Sequence, residues 1–131
     1  MNTLLADLAR YLQTNDIGTE GTNLFIGGFA GDEDDQVAIQ ATGGVEPYKD
    51  IPIARPTVQV SVRNKDYEAG MAVAYSIFTL LDREDDRLVL KSGGVDVMQV
   101  NALSEPNHLG QDTSSRHLFT INFVFMLRRD E

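Results

Sequence analysis

The stretch "ARPTVQVSVRNKDYEAG", residues 54–70, decides the fold of this chain because two structural periods meet in it. Valines at 58, 60 and 62 alternate with polar residues, a pattern typical of a strand that buries one face. From Tyr67 to Leu81 the apolar residues recur every three or four positions, which predicts a helix, and Asp66 is placed to cap it. We therefore expect a half-buried strand and a helix that packs back onto the sheet, with Gly70 at a close contact between them.

The other patterns extend this unit into a mixed fold of two helices and six strands. Apolar residues at helical spacing predict a first helix over residues 3–14, and strands are predicted at 23–29, 36–44, 57–63, 87–95, 95–105 and 116–127. The first two strands suggest a hairpin, while prolines in 45–56 and polar residues in 106–115 predict loops. The predicted class is α+β in the order αβββαβββ, with a mainly antiparallel or mixed sheet and both helices packed on one face.

Length, charge and cysteine content limit the functions to consider. A chain of 131 residues predicts a single domain, 1–131. With 20 acidic and 11 basic residues the formal charge is −9, which disfavours binding to a phosphate backbone. The absence of cysteine excludes disulfides and thiol nucleophiles. We expect neither a signal peptide nor a membrane span, because no basic leader and no apolar run of about 20 residues is present.

Few residues suggest chemistry. The acidic run Asp32, Glu33, Asp34 and Asp35 lacks the spacing of a calcium loop and predicts a solvated loop that repulsion pushes outward. His108 and His117, with Asp112 between them, could serve a metal ion or a nucleophile such as Ser114, but nothing in the sequence places them in those roles. The glycine pairs fit no phosphate-binding loop. We therefore predict no catalytic residue, no cofactor and no metal site, and a protein that is not an enzyme.

The last strand is apolar on both faces. Phenylalanines 119, 123 and 125 share one face, while Leu118, Val124 and Met126 lie on the other. Two helices can cover only one face of the sheet, so we expect the second face to contact a neighbouring subunit through Leu118, Val124 and Met126, or through the loop 104–115. The alternative is a plain central strand in a covered sheet.

The segments "NLFIGGFAGDEDDQVAIQATGG" and "IPIARPTVQVSVRNKDYEAGMAVAYSIFTLL" resemble the minor capsid or tail terminator (tail completion) family of long-tailed bacteriophages. The most specific parts are the Gly-Gly-Phe turn, the acidic loop and the Arg-Pro-x-Val-Gln-Val strand. The resemblance implies a structural virion protein for head–tail joining, found at the head–tail junction and assembled in the host cytoplasm. Such proteins form a homo-hexamer ring that caps the tail tube, ends tail polymerisation and offers a docking surface to the head connector.

The resemblance also implies the partners. They are copies of the chain itself, the tail tube protein and the head connector or neck protein, with no membrane. Genome DNA passes through the ring without specific binding, and we expect the loop Asp32 to Asp35 to face the lumen or the tube end. Two alternatives stay open: a neck or head-completion protein on the connector side, and a small metal- or ligand-binding enzyme domain.

Overall fold

The computed structural model describes residues 4–44, 53–82 and 96–128, and these ranges contain two helices and seven strands. In chain order the elements are α1 (Leu4–Thr14), β1 (Leu24–Ile26), β2 (Gln36–Ala41), β3 (Ile53–Ala54), β4 (Thr57–Asn64), α2 (Tyr67–Leu81), β5 (Asp96–Ala102), β6 (Asn107–Gln111) and β7 (His117–Arg128). The α+β class is confirmed. The predicted order αβββαβββ is not the order found, and the strand predicted at 87–95 lies outside the described residues.

Strand β7 organises the sheet because it is paired along both edges. On one side it runs antiparallel to β4, from the Thr57–Val124 pair to the Asn64–His117 pair. Strand β3 pairs with β7 along the same edge and continues this register. Between β3 and β4, the backbone N–H of Phe125 donates to the carbonyl of Pro56 at 2.9 Å. On the other side β7 pairs antiparallel with β5 and β6 in succession.

The far edge of the sheet corrects the predicted hairpin. Strand β2 is antiparallel to β4, but β1 pairs with β2 in parallel, with Leu24 opposite Val37. Since β1 has only three residues and spans about 10 Å, the connection 27–35 is long enough to return the chain to the same end of the sheet. The sheet is therefore mixed.

Two segments predicted as loops contain strands. Strand β6 lies within 106–115, where a register shift between His108 and Gly110 allows pairing, and Gly110 has a φ of 112°. Most β6 side chains are exposed, so no apolar alternation marks the strand. The short strand β3 lies in the proline-rich segment, next to the interruption at Pro56, which has no N–H to donate.

Both helices and the sheet contribute to one buried apolar cluster. The predicted alternation in β4 is confirmed, because Val58, Val60 and Val62 are at most 1% exposed. They pack with Leu8, Ala9 and Leu12 of α1, Ala74, Ile77 and Leu81 of α2, and Phe119, Ile121, Phe123, Phe125 and Leu127 of β7. Each buried large side chain contributes about 1.5–3 kcal/mol to folding, so this cluster dominates stability.

The junction between β4 and α2 is built as the sequence predicts. The carboxylate of Asp66 accepts the Ala69 backbone N–H at 2.8 Å and caps the helix. Gly70 is buried, and a Cβ atom there would lie 2.4 Å from Cε1 of Phe119 and 2.9 Å from Cβ of Asn64. The predicted close contact between helix and strand is therefore confirmed.

Candidate functional site

The acidic residues 32–35 lie at the end of the sheet where β2 begins and β4 ends. All four are exposed, in the connection 27–35 that leads into Gln36. The same end carries the first turn of α2 and the turn 112–116 between β6 and β7. The second acidic run, 82–86, lies outside the described residues except for Asp82, whose carboxylate accepts the Ala102 backbone N–H at 2.9 Å.

The backbone of this acidic connection is held against the sheet rather than pushed away. Nη2 of Arg63 donates to the Glu33 carbonyl at 2.6 Å, and the guanidinium lies 4.7 Å from the centre of the Phe29 ring. The Gln36 amide donates to the Ala30 carbonyl at 2.6 Å and accepts the Ala30 N–H at 3.0 Å. The expectation of a loop repelled outward is therefore wrong for the backbone, although the four carboxylates remain in solvent.

Arg63 and Gln36 are buried by this packing, at 7% and 2% exposure. They alternate with Val62 and Val37, so they lie on the outer face of the sheet, the face turned away from the buried cluster. Loss of hydration, together with the charge of Arg116, lowers the pKa of Arg63, while Asp112, Asp34 and Asp32 act against that shift. The connection therefore covers one end of the outer face.

Asp112 holds the turn 112–116. Its carboxylate accepts the backbone N–H groups of Ser114 and Arg116 at 2.9 Å each, and Nε of Arg116 at 2.9 Å. The pKa of Asp112 is lowered, and the largest cause is the hydrogen bond from the Arg116 backbone N–H. The other N–H donors and the charge of Arg116 lower this pKa further, whereas desolvation raises it. Arg116 also lies 3.8 Å from Asp34, which links the turn to the acidic connection. This arrangement gives Asp112 a structural role and does not orient a histidine for catalysis.

The two histidines lie within hydrogen-bonding distance of each other, which the sequence pattern does not predict. Nε2 of His108 lies 3.1 Å from Nδ1 of His117, and Nε2 of Gln111 lies 3.3 Å from Nε2 of His117. The Tyr67 ring contacts both imidazoles edge-on, at centroid distances of 4.9 and 5.5 Å. No group of three or more His, Asp or Glu side chains within the described ranges is arranged to hold a metal ion. The sequence signal for the bulged hairpin of β6 and β7 is Gly110, which is followed closely by the polar turn residues Asp112 to Ser115.

The predicted contact residues all lie on the outer face, but they do not form one patch. Val124 and Met126 line an open depression of about 220 Å³ together with Arg55, Thr57, Asn101, Leu103 and Phe125. Leu103 is 60% exposed and forms the most accessible apolar part of it. Leu118 lies six residues from Val124, or about 20 Å along the strand, and pairs with Arg63 beside the acidic connection.

Comparison with known proteins gives the family. The model of the bacteriophage tail terminator protein family matches residues 11–129, which include the acidic connection, the turn 112–116 and the outer face of β7. The chain belongs to this family. No curated protein sequence matches it. Membership makes the chain a structural protein of phage tail completion and a component of the virion, and a structural role points away from enzyme activity. Within the described residues, no helix has the length and apolar character needed to span a membrane.

Proposed function

We propose that this tail terminator assembles as a ring of six subunits at the head–tail junction. There it caps the tail tube, ends tail polymerisation and offers the docking surface for the head connector. The observation that carries the proposal is the family match over residues 11–129. The protein works through contacts with copies of itself, with the tail tube protein and with the connector, and it catalyses no reaction.

The outer face supports a contact between subunits. The depression around Leu103, Val124 and Met126 is apolar on a face otherwise lined by polar side chains such as Gln59 and Asn122. Exposed apolar patches rimmed by polar residues mark protein–protein contacts. The neighbouring subunit covers this depression, and the contact continues along β7 as far as Leu118.

The acidic connection supports a position at the lumen or at the tube end. Bonds from Arg63 and Gln36 fix its backbone, so Asp32, Glu33, Asp34 and Asp35 project from a defined place. Carboxylates on a channel wall repel the DNA phosphates and keep the wall from gripping the genome. Genome DNA therefore passes the ring without specific binding.

A charge placed in the depression tests the ring contact. We expect Val124→Asp to give a folded monomer that no longer forms rings on purified tail tubes, because an unpaired carboxylate in an apolar contact loses its hydration. Light scattering with and without tail tube protein measures the assembly, and circular dichroism measures folding. Gln40→Asp, on the outer face of β2, is the matched control and should assemble normally.

Two outcomes decide the assignment. If Val124→Asp forms rings of the same size and in the same amount as the wild type, the proposed contact between subunits through the depression is refuted. If Val124→Asp does not fold, Leu103→Asp replaces it, because a side chain with 60% exposure can take a charge without disturbing the core. Normal rings of Leu103→Asp would then refute the contact.

A further inference from the structure

We propose that His108 and His117 form a binding site for one divalent transition metal ion, of the zinc, nickel or copper type. The ion binds between Nε2 of His108 and Nδ1 of His117, which are 3.1 Å apart. Imidazole nitrogen is a preferred ligand of these metals, whereas magnesium and calcium prefer oxygen. The proposed role of the chain in tail assembly does not require a metal ion, so metal binding at this site is a separate property.

The distance between the two nitrogens fits a shared metal ion. Zinc binds imidazole nitrogen at about 2.0–2.1 Å, so two such ligands are about 3.3 Å apart at a tetrahedral angle and about 2.9 Å apart at a right angle. The observed 3.1 Å lies between these values. In the free protein a hydrogen bond joins the two nitrogens, so the rings, whose centroids are 5.2 Å apart, rotate to turn both lone pairs toward one ion.

The hairpin and α2 hold the two rings in place before an ion binds. His108 pairs with Phe119 and His117 pairs with Gln111 across β6 and β7, so both imidazoles lie on the same face of the hairpin. The Tyr67 ring, from the first turn of α2, packs against both. Ligands whose positions are fixed by packing lose less conformational entropy when a metal ion binds.

Gln111 supplies the hydrogen bond that a metal-binding histidine usually makes through its second ring nitrogen. In the free protein its amide donates to Nε2 of His117, so the proton of a neutral His117 is on Nδ1, where it donates to His108. When the ion takes Nδ1, that proton moves through solvent to Nε2, and both imidazoles stay neutral. A half-turn of the Gln111 amide, which gives up its long bond of 3.4 Å to the Ser115 carbonyl, then presents Oε1 as the acceptor of the new N–H.

Solvent completes the coordination. His108 is exposed, and two protein ligands leave the other positions of the ion to water. The affinity is therefore below that of structural zinc sites, which have four protein ligands. Because the chain has a formal charge of −9, its carboxylates also attract cations weakly, and a test must separate the two kinds of binding.

The test is a titration of the full chain with zinc chloride at neutral pH in an excess of Mg²⁺, which occupies the carboxylates. Calorimetry should give one Zn²⁺ per chain, and the melting temperature should rise with Zn²⁺ because the ion binds only the folded hairpin. The chain has two histidines, so proton NMR reads each imidazole directly. Both sets of ring signals should shift together and reach their end point at one equivalent.

Three variants complete the experiment. His108→Ala and His117→Ala should each weaken Zn²⁺ binding at least about tenfold, since each removes one of two ligands. Leu109→Ala, on the same strand and at a side chain with 56% exposure, should bind like the wild type. Acidification should displace the ion, because protons compete for the imidazole nitrogens.

The proposal is overturned if the wild type takes up no saturable Zn²⁺ in excess Mg²⁺, if only one imidazole responds, or if His108→Ala binds as tightly as the wild type. The NMR result needs no variant, so a variant that fails to fold leaves the proposal testable. All measurements use the isolated chain. They are therefore independent of whether it forms rings on tail tubes.

Discussion

Gly70 shows how a single residue sets the distance between a helix and the sheet. Alanine there should gain about 1 kcal/mol of helix propensity, but its Cβ would lie 2.4 Å from Phe119. We expect Gly70→Ala to lower the free energy of unfolding by about 1–3 kcal/mol, because overpacking outweighs propensity. Urea denaturation measures the change. Ala72→Gly, at an exposed position of the same helix, should cost about 1 kcal/mol, and a Gly70→Ala protein more stable than the wild type would contradict the packing.

Asp112 makes the hairpin turn sensitive to acid. Its pKa is lowered in the folded chain, so its contribution to stability is complete above the pKa of the unfolded state, about 3.9, and is lost as the pH falls through the lower folded value. Asp112→Ala should therefore melt at a lower temperature than the wild type at neutral pH, and the difference should shrink below about pH 4. Calorimetry over this pH range measures it. A difference that stays constant down to pH 2 would show that the carboxylate charge does not stabilise the turn.

At the scale of elements, the acidic connection combines a fixed backbone with exposed carboxylates. Two of these carboxylates have partners: Asp34 lies 3.8 Å from Arg116, and Asp35 accepts the Lys65 backbone N–H at 3.1 Å. We expect joint replacement of Asp32, Glu33, Asp34 and Asp35 by their amides to change the melting temperature little, because Arg63 and Gln36 bind backbone atoms. Genome ejection should slow, since the wall loses its repulsion of phosphates, or docking of the tail should change.

Genome release and tail attachment in particles carrying this variant measure the effect. The control neutralises Glu105, an exposed acid between β5 and β6 that lies away from the end carrying the acidic connection. If ejection, docking and tail length are all normal in the first variant, the connection does not face the lumen or the tube end.

The elements also separate what the sequence predicts from what it does not. Strand β4, helix α2, the Asp66 cap and the contact at Gly70 are predictable because each follows from residues close together in the chain. Strand β6 is not, because an edge strand with mostly exposed side chains has no apolar alternation. The direction of β1 relative to β2 depends on the end of the sheet to which residues 27–35 return the chain. Hydrophobic periodicity does not encode that path. The histidine pair was missed because it depends on β6.

At the scale of the whole molecule, charge and shape divide the surface. One end carries the acidic residues 32–35, where Arg63 donates to the Glu33 backbone carbonyl and Arg116 lies 3.8 Å from the Asp34 carboxylate. The outer face carries the apolar depression around Val124 and Met126. The proposed ring requires surfaces for copies of the chain, for the tube and for the connector, and a path for DNA that does not bind it. This distribution fits those needs without a catalytic centre.

The length of the tails tests the central claim most directly. Particles assembled without this chain, viewed by electron microscopy, should have over-long or unterminated tails, because nothing stops growth of the tube. Supplying the chain from a plasmid should restore a uniform tail length. Tails of normal length beside heads that leak DNA would contradict the account and place the protein on the connector side of the junction.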